Sequence, residues 1–478
     1  MNLKKKTISG VKWTTLSTII LTIGGIIKLS VLTRYLSAED FGLMALVTFV
    51  LGFMNLFTDM GLTSAILYKQ NITRREYSSL FILNLFFSLF LFLLIFMLSD
   101  VIAGFYKEKE LSNLIPLMGV SLFFFALGNQ YKTIEQKNFN FKYIALVEIF
   151  SSILGILLAI ILAIKGYGVY TLVYSALFQY GLSNFLFFLR GINRRGFIIH
   201  FDIKETESFL KIGGYQIGAQ IVNYFNRDID VLLIGKFFGV EILGGYNLAK
   251  QLIRRPLQIT SPVLNRVSMS IFPKFQQDKI KLSKYFKKLF TIAGVFNSLI
   301  YSFMVIFAHW LVLFLYGEKL LNIVFYVQLF ALATFLRSMG GITGILVVTK
   351  GRTDYDFIWN IIITFIMPIT IYIGSQISIE IVILFLGILQ LFILIPNWYM
   401  FFYRLIDYPF EAYIKPHIYP LGLSLISIFL LKIFDVDSLF FSFLSFSLLI
   451  SFLIVYSYFN VPEFQSIINK FFRKYDRV

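Results

Sequence analysis

The chain has 478 residues, 58% of them hydrophobic and 56 of them Phe, with a formal net charge of +17. Apolar runs such as Leu83–Leu98 and Leu439–Tyr456 exceed what a water-soluble core needs, so a soluble globular protein is excluded. Cysteine is absent and the three histidines (His200, His309, His417) have no metal-ligand spacing, which excludes disulfides and thiolate metal sites.

In chain order, the basic start Met1–Lys6 precedes an apolar run from Gly10 to Leu36. That run is too long for a signal peptide and lacks a small-residue cleavage site, so it is a retained first span. Reading apolar runs of about 20 residues as spans places fourteen. They are 10–36, 41–67, 79–105, 111–131, 142–164, 168–190, 207–236, 242–273, 288–316, 320–349, 354–374, 379–403, 417–434 and 438–459. The fold class is therefore an all-α integral membrane protein. Assigned alternately, with the cations at the span ends counted in, one set of connections carries 28 Lys and Arg and the other 6. Basic loops stay in the cytoplasm, so both termini are expected inside a bacterial cytoplasmic (inner) membrane. The basic loops then face anionic lipid rather than nucleic acid. Every connection is short, which leaves no room for a soluble catalytic domain and disfavours an enzyme.

The eighth span is too polar for hydropathy alone. Without it the six lysines of Lys274–Lys288 would face outward and every later loop would invert. It must cross while shielding its polar groups from lipid. After the last span, Phe464, Ile467, Ile468, Phe471 and Phe472 lie on one face of the tail and its cations elsewhere, as in an interfacial amphipathic helix.

A repeat appears at an offset of 202 residues. Arg34, Glu39 and Gly42 overlay Lys236, Glu241 and Gly244, at the junctions of spans 1–2 and 7–8. This predicts two six-helix lobes, 1–200 and 201–405, related by a pseudo-two-fold along the membrane normal. An added helix pair (406–460) and a cytoplasmic tail (461–478) complete the chain. Parallel repeats of this kind are a transporter feature, with substrate bound between the halves.

Span 7 carries Gln216, Gln220, Asn223, Arg227 and Asp230 on one helical face. Span 8 carries Asn247, Lys250, Arg254, Gln258, Ser261 and Asn265 in the same manner, with Arg255 adjacent. The 202 offset maps the first stripe onto Thr14, Thr18, Leu21, Gly25 and Lys28 of span 1, a face that is again polar and ends in a charge. A charge at mid-bilayer costs roughly 2.5–3.5 kcal/mol even on the mildest scale, so these faces line protein or a watery cavity. Two simpler readings compete: Arg227 and Asp230 neutralise each other at i, i+3, and Lys28 snorkels to the headgroups. The excess of cation (Lys28, Arg227, Lys250, Arg254, Arg255) predicts an anionic substrate such as a phosphate or pyrophosphate. Pro256 and Pro262 interrupt the helix ladder and offer a bend for gating, or a static kink. Asp59 and Glu148 are candidates for ion coupling, against a capping or pairing role.

Several short stretches carry a family resemblance. They are Gly10-Val-Lys-Trp13, Leu32-Thr-Arg34-Tyr-Leu36-Ser-Ala-Glu39-Asp40-Phe41-Gly42 and Asp59-Met-Gly61-Leu62-Thr-Ser-Ala65 in the first half. In the second half they are Asn226-Arg227-Asp228-Ile-Asp230, Ile234-Gly235-Lys-Phe-Phe-Gly239, Leu243-Gly244-Gly-Tyr246-Asn-Leu-Ala249, Pro256 and Phe272-Pro273. Their order and spacing resemble the polysaccharide flippases of the multidrug/oligosaccharidyl-lipid/polysaccharide exporter superfamily, in the branch with colanic-acid and teichuronic-acid exporters. The resemblance covers essentially the whole chain. It implies twelve core helices in two lobes, often with two extra, and transfer of an undecaprenyl-pyrophosphate-linked oligosaccharide from inner to outer leaflet by alternating access. The expected partners are that glycan, membrane lipids, and polysaccharide polymerase and chain-length proteins, with no nucleic acid. No cofactor is expected, and H+ or Na+ is the candidate coupling ion. Competing readings are a lipid II flippase, a cation-coupled drug exporter, which would favour an acidic cavity, and a membrane polymerase or ligase.

Overall fold

The computed structural model describes residues 3–69, 71–196, 198–338, 340–417, 422, 426 and 439–460. The expected span 417–434 falls almost wholly outside them, and the tail after 460 entirely. The regular elements among the described residues are helices. Ten are long and apolar enough to cross a membrane, by length and composition.

The chain divides into two compact units, Met1–Asn247 with Ile363–Pro368, and Leu248–Ile362 with Ile369–Val478. In the first, α1 (Leu3–Leu32) packs along α7 (Phe141–Ile164), and α8 (Tyr170–Arg195) packs on both α7 and α6 (Ser121–Lys137). The expected second span is α2 (Ala38–Asp59) followed by α3 (Leu62–Tyr68). Met60 (φ 45°) and Gly61 (φ 66°) are both left-handed and break the helix between them. α4 (Arg74–Tyr106) and α5 (Leu111–Gly119) complete this unit's first hairpins.

Helix starts follow local chemistry. Ser37 with Asp40, and Thr73 with Glu76, form reciprocal capping boxes at α2 and α4, each satisfying orphan backbone donors. The core of the unit gathers Leu80, Phe81, Ile134, Phe187 and Phe209.

The seventh and eighth expected spans are one long element, α9 (Ile203–Ile271). Its only departure from helical geometry is Gly239, at φ 80°, ψ 176°. That conformation is almost restricted to glycine, so the chain turns there. Pro256 and Pro262 both lie inside continuous helix.

The second unit contains α10 (Lys279–Ile306), α11 (Ala308–Tyr316), α12 (Val324–Arg337), α13 (Gly340–Thr349), α14 (Thr353–Ser375) apart from its Ile363–Pro368 stretch, and α15 (Ile379–Asn397). α10 and α15 pack on α12. A chain of aromatic contacts through Phe272, Phe286, Phe290, Phe402, Tyr408 and Tyr413 forms its densest core. At the start of α10 the Asp278 carboxylate accepts the Lys281 N–H, which holds its carboxyl below the usual carboxylate range. α16 (Leu439–Asn460) docks through Leu449 and Leu453 on Ile306 and Phe307.

Gly239→Ala should destabilise the protein by about 1–3 kcal/mol. Gly104→Ala, where a Cβ would meet open space inside α4, should be neutral or slightly stabilising. Thermal unfolding of both variants in detergent checks the contrast.

Candidate functional site

On α1, the Thr14 hydroxyl donates to Gly10 O at 2.8 Å and the Thr18 hydroxyl to Thr14 O at 2.8 Å. Back-bonding of this kind lets a threonine sit in a spanning helix without an unpaired donor. Lys28 is half-buried and donates from Nζ to Ser175 Oγ of α8 at 3.0 Å. Ser175 is fully buried and its hydroxyl in turn donates a hydrogen bond to Leu172 O. Among the described residues no carboxylate pairs with Lys28. Its partner is a neutral oxygen, so its charge is solvated but not neutralised.

On the polar face of α9 in the first unit, Arg227 and Asp230 each have further partners. Arg227 donates from Nε to Asp228 Oδ2 at 2.7 Å and lies 5.4 Å from the Tyr224 ring centre. Asp230 is buried and accepts the Tyr246 hydroxyl at 2.6 Å and the Val231 N–H at 3.0 Å. Neutralisation of Arg227 therefore involves the neighbouring carboxylate, while Asp230 ties α9 to its own continuation beyond Gly239. Asn226 Oδ1 accepts the Thr364 hydroxyl at 2.5 Å. Gln220 is half-buried and Asn223 exposed, and the Gln216 side chain lies outside the described residues.

In the second unit, Lys250, Arg254 and Arg255 are half-buried and Gln258 is exposed. The turns that carry them are pinned from outside the helix. Tyr316 donates to Leu248 O at 3.3 Å, and Tyr301 to Ile253 O at 3.3 Å, just ahead of Pro256. These hydroxyls support the carbonyls of a ladder that two prolines interrupt. Arg255 makes no ion pair with a described carboxylate. Further along α9, Asn265 Oδ1 and Ser268 Oγ are buried without a partner among the described residues.

The two candidate coupling acids differ. Glu148 of α7 pairs with Lys132 of α6 at 2.7 Å, so it has a counter-ion. Asp59 ends α2 at the helix break, where its Oδ1 accepts Thr63 Oγ1 at 2.5 Å and Asn129 Nδ2 at 2.8 Å. These donors bridge the break and tie it to α6.

Sequence reasoning missed Ser175, Asn129, Lys132 and Tyr246 as partners. Lys132 and Tyr246 each lie 16 residues from the acid they satisfy, a spacing with no periodic signal. Tyr246 alone stood inside a quoted motif.

Residues 31–325 match the family described as "Polysaccharide biosynthesis protein". The chain belongs to that family. Two relatives show the same affinity. The Lipopolysaccharide biosynthesis protein WzxC of Escherichia coli (strain K12) is 29% identical over 387 residues, 79% of this chain and 77% of that protein. The Teichuronic acid biosynthesis protein TuaB of Bacillus subtilis (strain 168) is 27% identical over 359 residues, 75% and 74% of the two chains. The motif resemblance to polysaccharide exporters of the multidrug/oligosaccharidyl-lipid/polysaccharide superfamily therefore holds. A solved structure titled "Lipid II flippase MurJ, inward closed conformation" superposes with a TM-score of 0.77, covering 94% of this chain and 99% of that one. At 17% identity this likeness is one of fold. Arg227, Asp230, Lys250, Arg254 and Arg255 fall inside the family match, whereas Thr14, Thr18 and Lys28 precede it.

A bond from tyrosine to an ionised carboxylate contributes roughly 1.5–3 kcal/mol. Asp230→Asn and Tyr246→Phe should each destabilise the protein, and the double variant should cost clearly less than their sum. A double-mutant cycle on thermal unfolding measures that coupling.

Proposed function

We propose that this chain moves undecaprenyl-pyrophosphate-linked oligosaccharide repeat units from the inner to the outer leaflet of the bacterial cytoplasmic membrane by alternating access, for surface polysaccharide synthesis. In this reading fourteen helices cross the bilayer, both termini are cytoplasmic, and the two six-helix lobes rock about the substrate. Polysaccharide polymerase and chain-length proteins would consume the product.

The observation that carries the reading is the pair of half-buried cations, Lys28 and Arg255, that lack a carboxylate partner among the described residues. A protein does not hold unneutralised cations in a membrane segment without use for them. The counter-charge is proposed to arrive with the substrate as pyrophosphate or acidic sugar. Arginine supplies forked donors and lysine a point charge. Arg227, Lys250 and Arg254 complete the proposed cationic set. Thr14, Thr18, Gln216, Gln220, Asn223 and Gln258 are the proposed neutral lining. Support also comes from the relatives, named for lipopolysaccharide and teichuronic acid biosynthesis.

Of the two acids, Asp59 is assigned the coupling role. Its bonded partners are neutral donors, and it sits where α2 breaks. Glu148 is already neutralised by Lys132. H+ is the coupling ion that a carboxylate without a cationic partner most simply carries.

Lys28→Ala, Arg254→Ala and Arg255→Ala should each abolish glycan export, and Asp59→Asn should impair it, with the protein still present in the membrane at normal amount. Surface polysaccharide and membrane protein are measured in the same cells. Normal export by Arg254→Ala would sink the assignment.

A further inference from the structure

The sequence repeat reappears as a symmetric contact. α2 begins at Ala38, and the part of α9 that follows the Gly239 turn begins at Val240. Those starts are 202 residues apart, the offset of the repeat. Four residues into each helix stands a glycine, Gly42 and Gly244. A Cβ on Gly42 would lie 1.8 Å from Val240 O and 3.1 Å from Gly244 N. A Cβ on Gly244 would lie 1.7 Å from Ala38 O and 3.0 Å from Gly42 N. Exchanging the two copies of the repeat turns one set of contacts into the other.

Neither glycine has a positive φ, so conformation does not require them. The need is spatial. The atoms in the way are backbone carbonyls, which cannot swing aside as a flexible side chain could. Each glycine presents a hydrogen to the opposite carbonyl, the close Cα–H···O approach that small residues permit at helix crossings. Phe41, Leu43, Leu46, Leu243 and Tyr246 are buried around it, and Tyr246 is the group that holds Asp230. Among the described residues no ion pair joins the two helix starts, so the contact rests on shape and could part without separating charges.

We propose that this reciprocal glycine crossing is the outer seal of the transport path, and that its parting is an obligatory step of each cycle. The inference rests on the proposed alternating-access function and topology, which place both helix starts at the outer face. A seal made of two repeat copies sits on the symmetry axis relating them, where rocking halves need a close contact with little side-chain bulk. A methyl group at either position would hold the helices apart and favour the outward-open arrangement.

The chain lacks cysteine, so a single reporter thiol can be read directly. In vesicles of native sidedness carrying Thr18→Cys, an impermeant maleimide added outside should label the reporter slowly. Adding Gly42→Ala or Gly244→Ala should each speed labelling by about tenfold, a one-decade shift of the closed–open balance. Gly104→Ala should leave the rate unchanged. Unchanged labelling in both seal variants at parental membrane amount would overturn the proposal, and so would an effect confined to one of them.

A second arm keeps both glycines intact and so does not depend on the variants folding. Joining Glu39→Cys to Glu241→Cys with a cleavable bifunctional thiol reagent should stop glycan export, and cleavage should restore it. Export by the joined protein would overturn the proposal. Failure of the underlying function would show instead as absent export in the unjoined parent, while the labelling arm would still report on the glycines.

Discussion

A bilayer offers no water to a polar group, so every charge inside it must be neutralised, solvated by the protein, or supplied with a partner from outside. The rest of the structure follows from how this chain meets that demand. Thr14 and Thr18 satisfy themselves on their own helix. Glu148 takes Lys132, Asp230 takes the Tyr246 hydroxyl, and Asp59 takes Thr63 and Asn129. Set against this thorough pairing, Lys28 with a serine and Arg255 with no described carboxylate are exceptions. Exceptions to a costly rule are where function is concentrated.

Backbone geometry meets the same demand along α9. The helix is too polar to be recognised as a span, yet it continues past Pro256 and Pro262 without leaving helical geometry. Tyr316 and Tyr301 donate to carbonyls of that stretch. Gly239 supplies the one turn, and its φ of 80° explains why a glycine stands there. Gly42 and Gly244 answer a different need, the close approach of two helix starts. The same residue type serves once for conformation and twice for space.

Much of this was legible in the sequence because hydropathy and charge are local. The expected span 354–374 lies within α14 (Thr353–Ser375), and 79–105 within α4 (Arg74–Tyr106). The 202-residue repeat, read from a charge, a Glu and a Gly, marked the two helix starts that meet. What the sequence hid depends on helix rotation and packing. The spacing of Arg227 and Asp230 gives no sign of Asp228 and Tyr246 as their partners, the latter brought back by the turn at Gly239. The break at Met60–Gly61 was also hidden, since a lone glycine in an apolar run fixes no φ. The partnership of Lys28 with Ser175 joins residues 147 apart and needs the packing of helices to be known.

The measurement that tests the central claim most directly is the sidedness of lipid-linked glycan in spheroplasts of a strain lacking the gene. An impermeant sugar-oxidising probe reads which leaflet holds it. Translocation by this protein predicts that lipid-linked glycan accumulates and is protected from the probe. Accumulated glycan that the probe reaches would mean that transfer across the bilayer is intact without the protein, and would contradict the account.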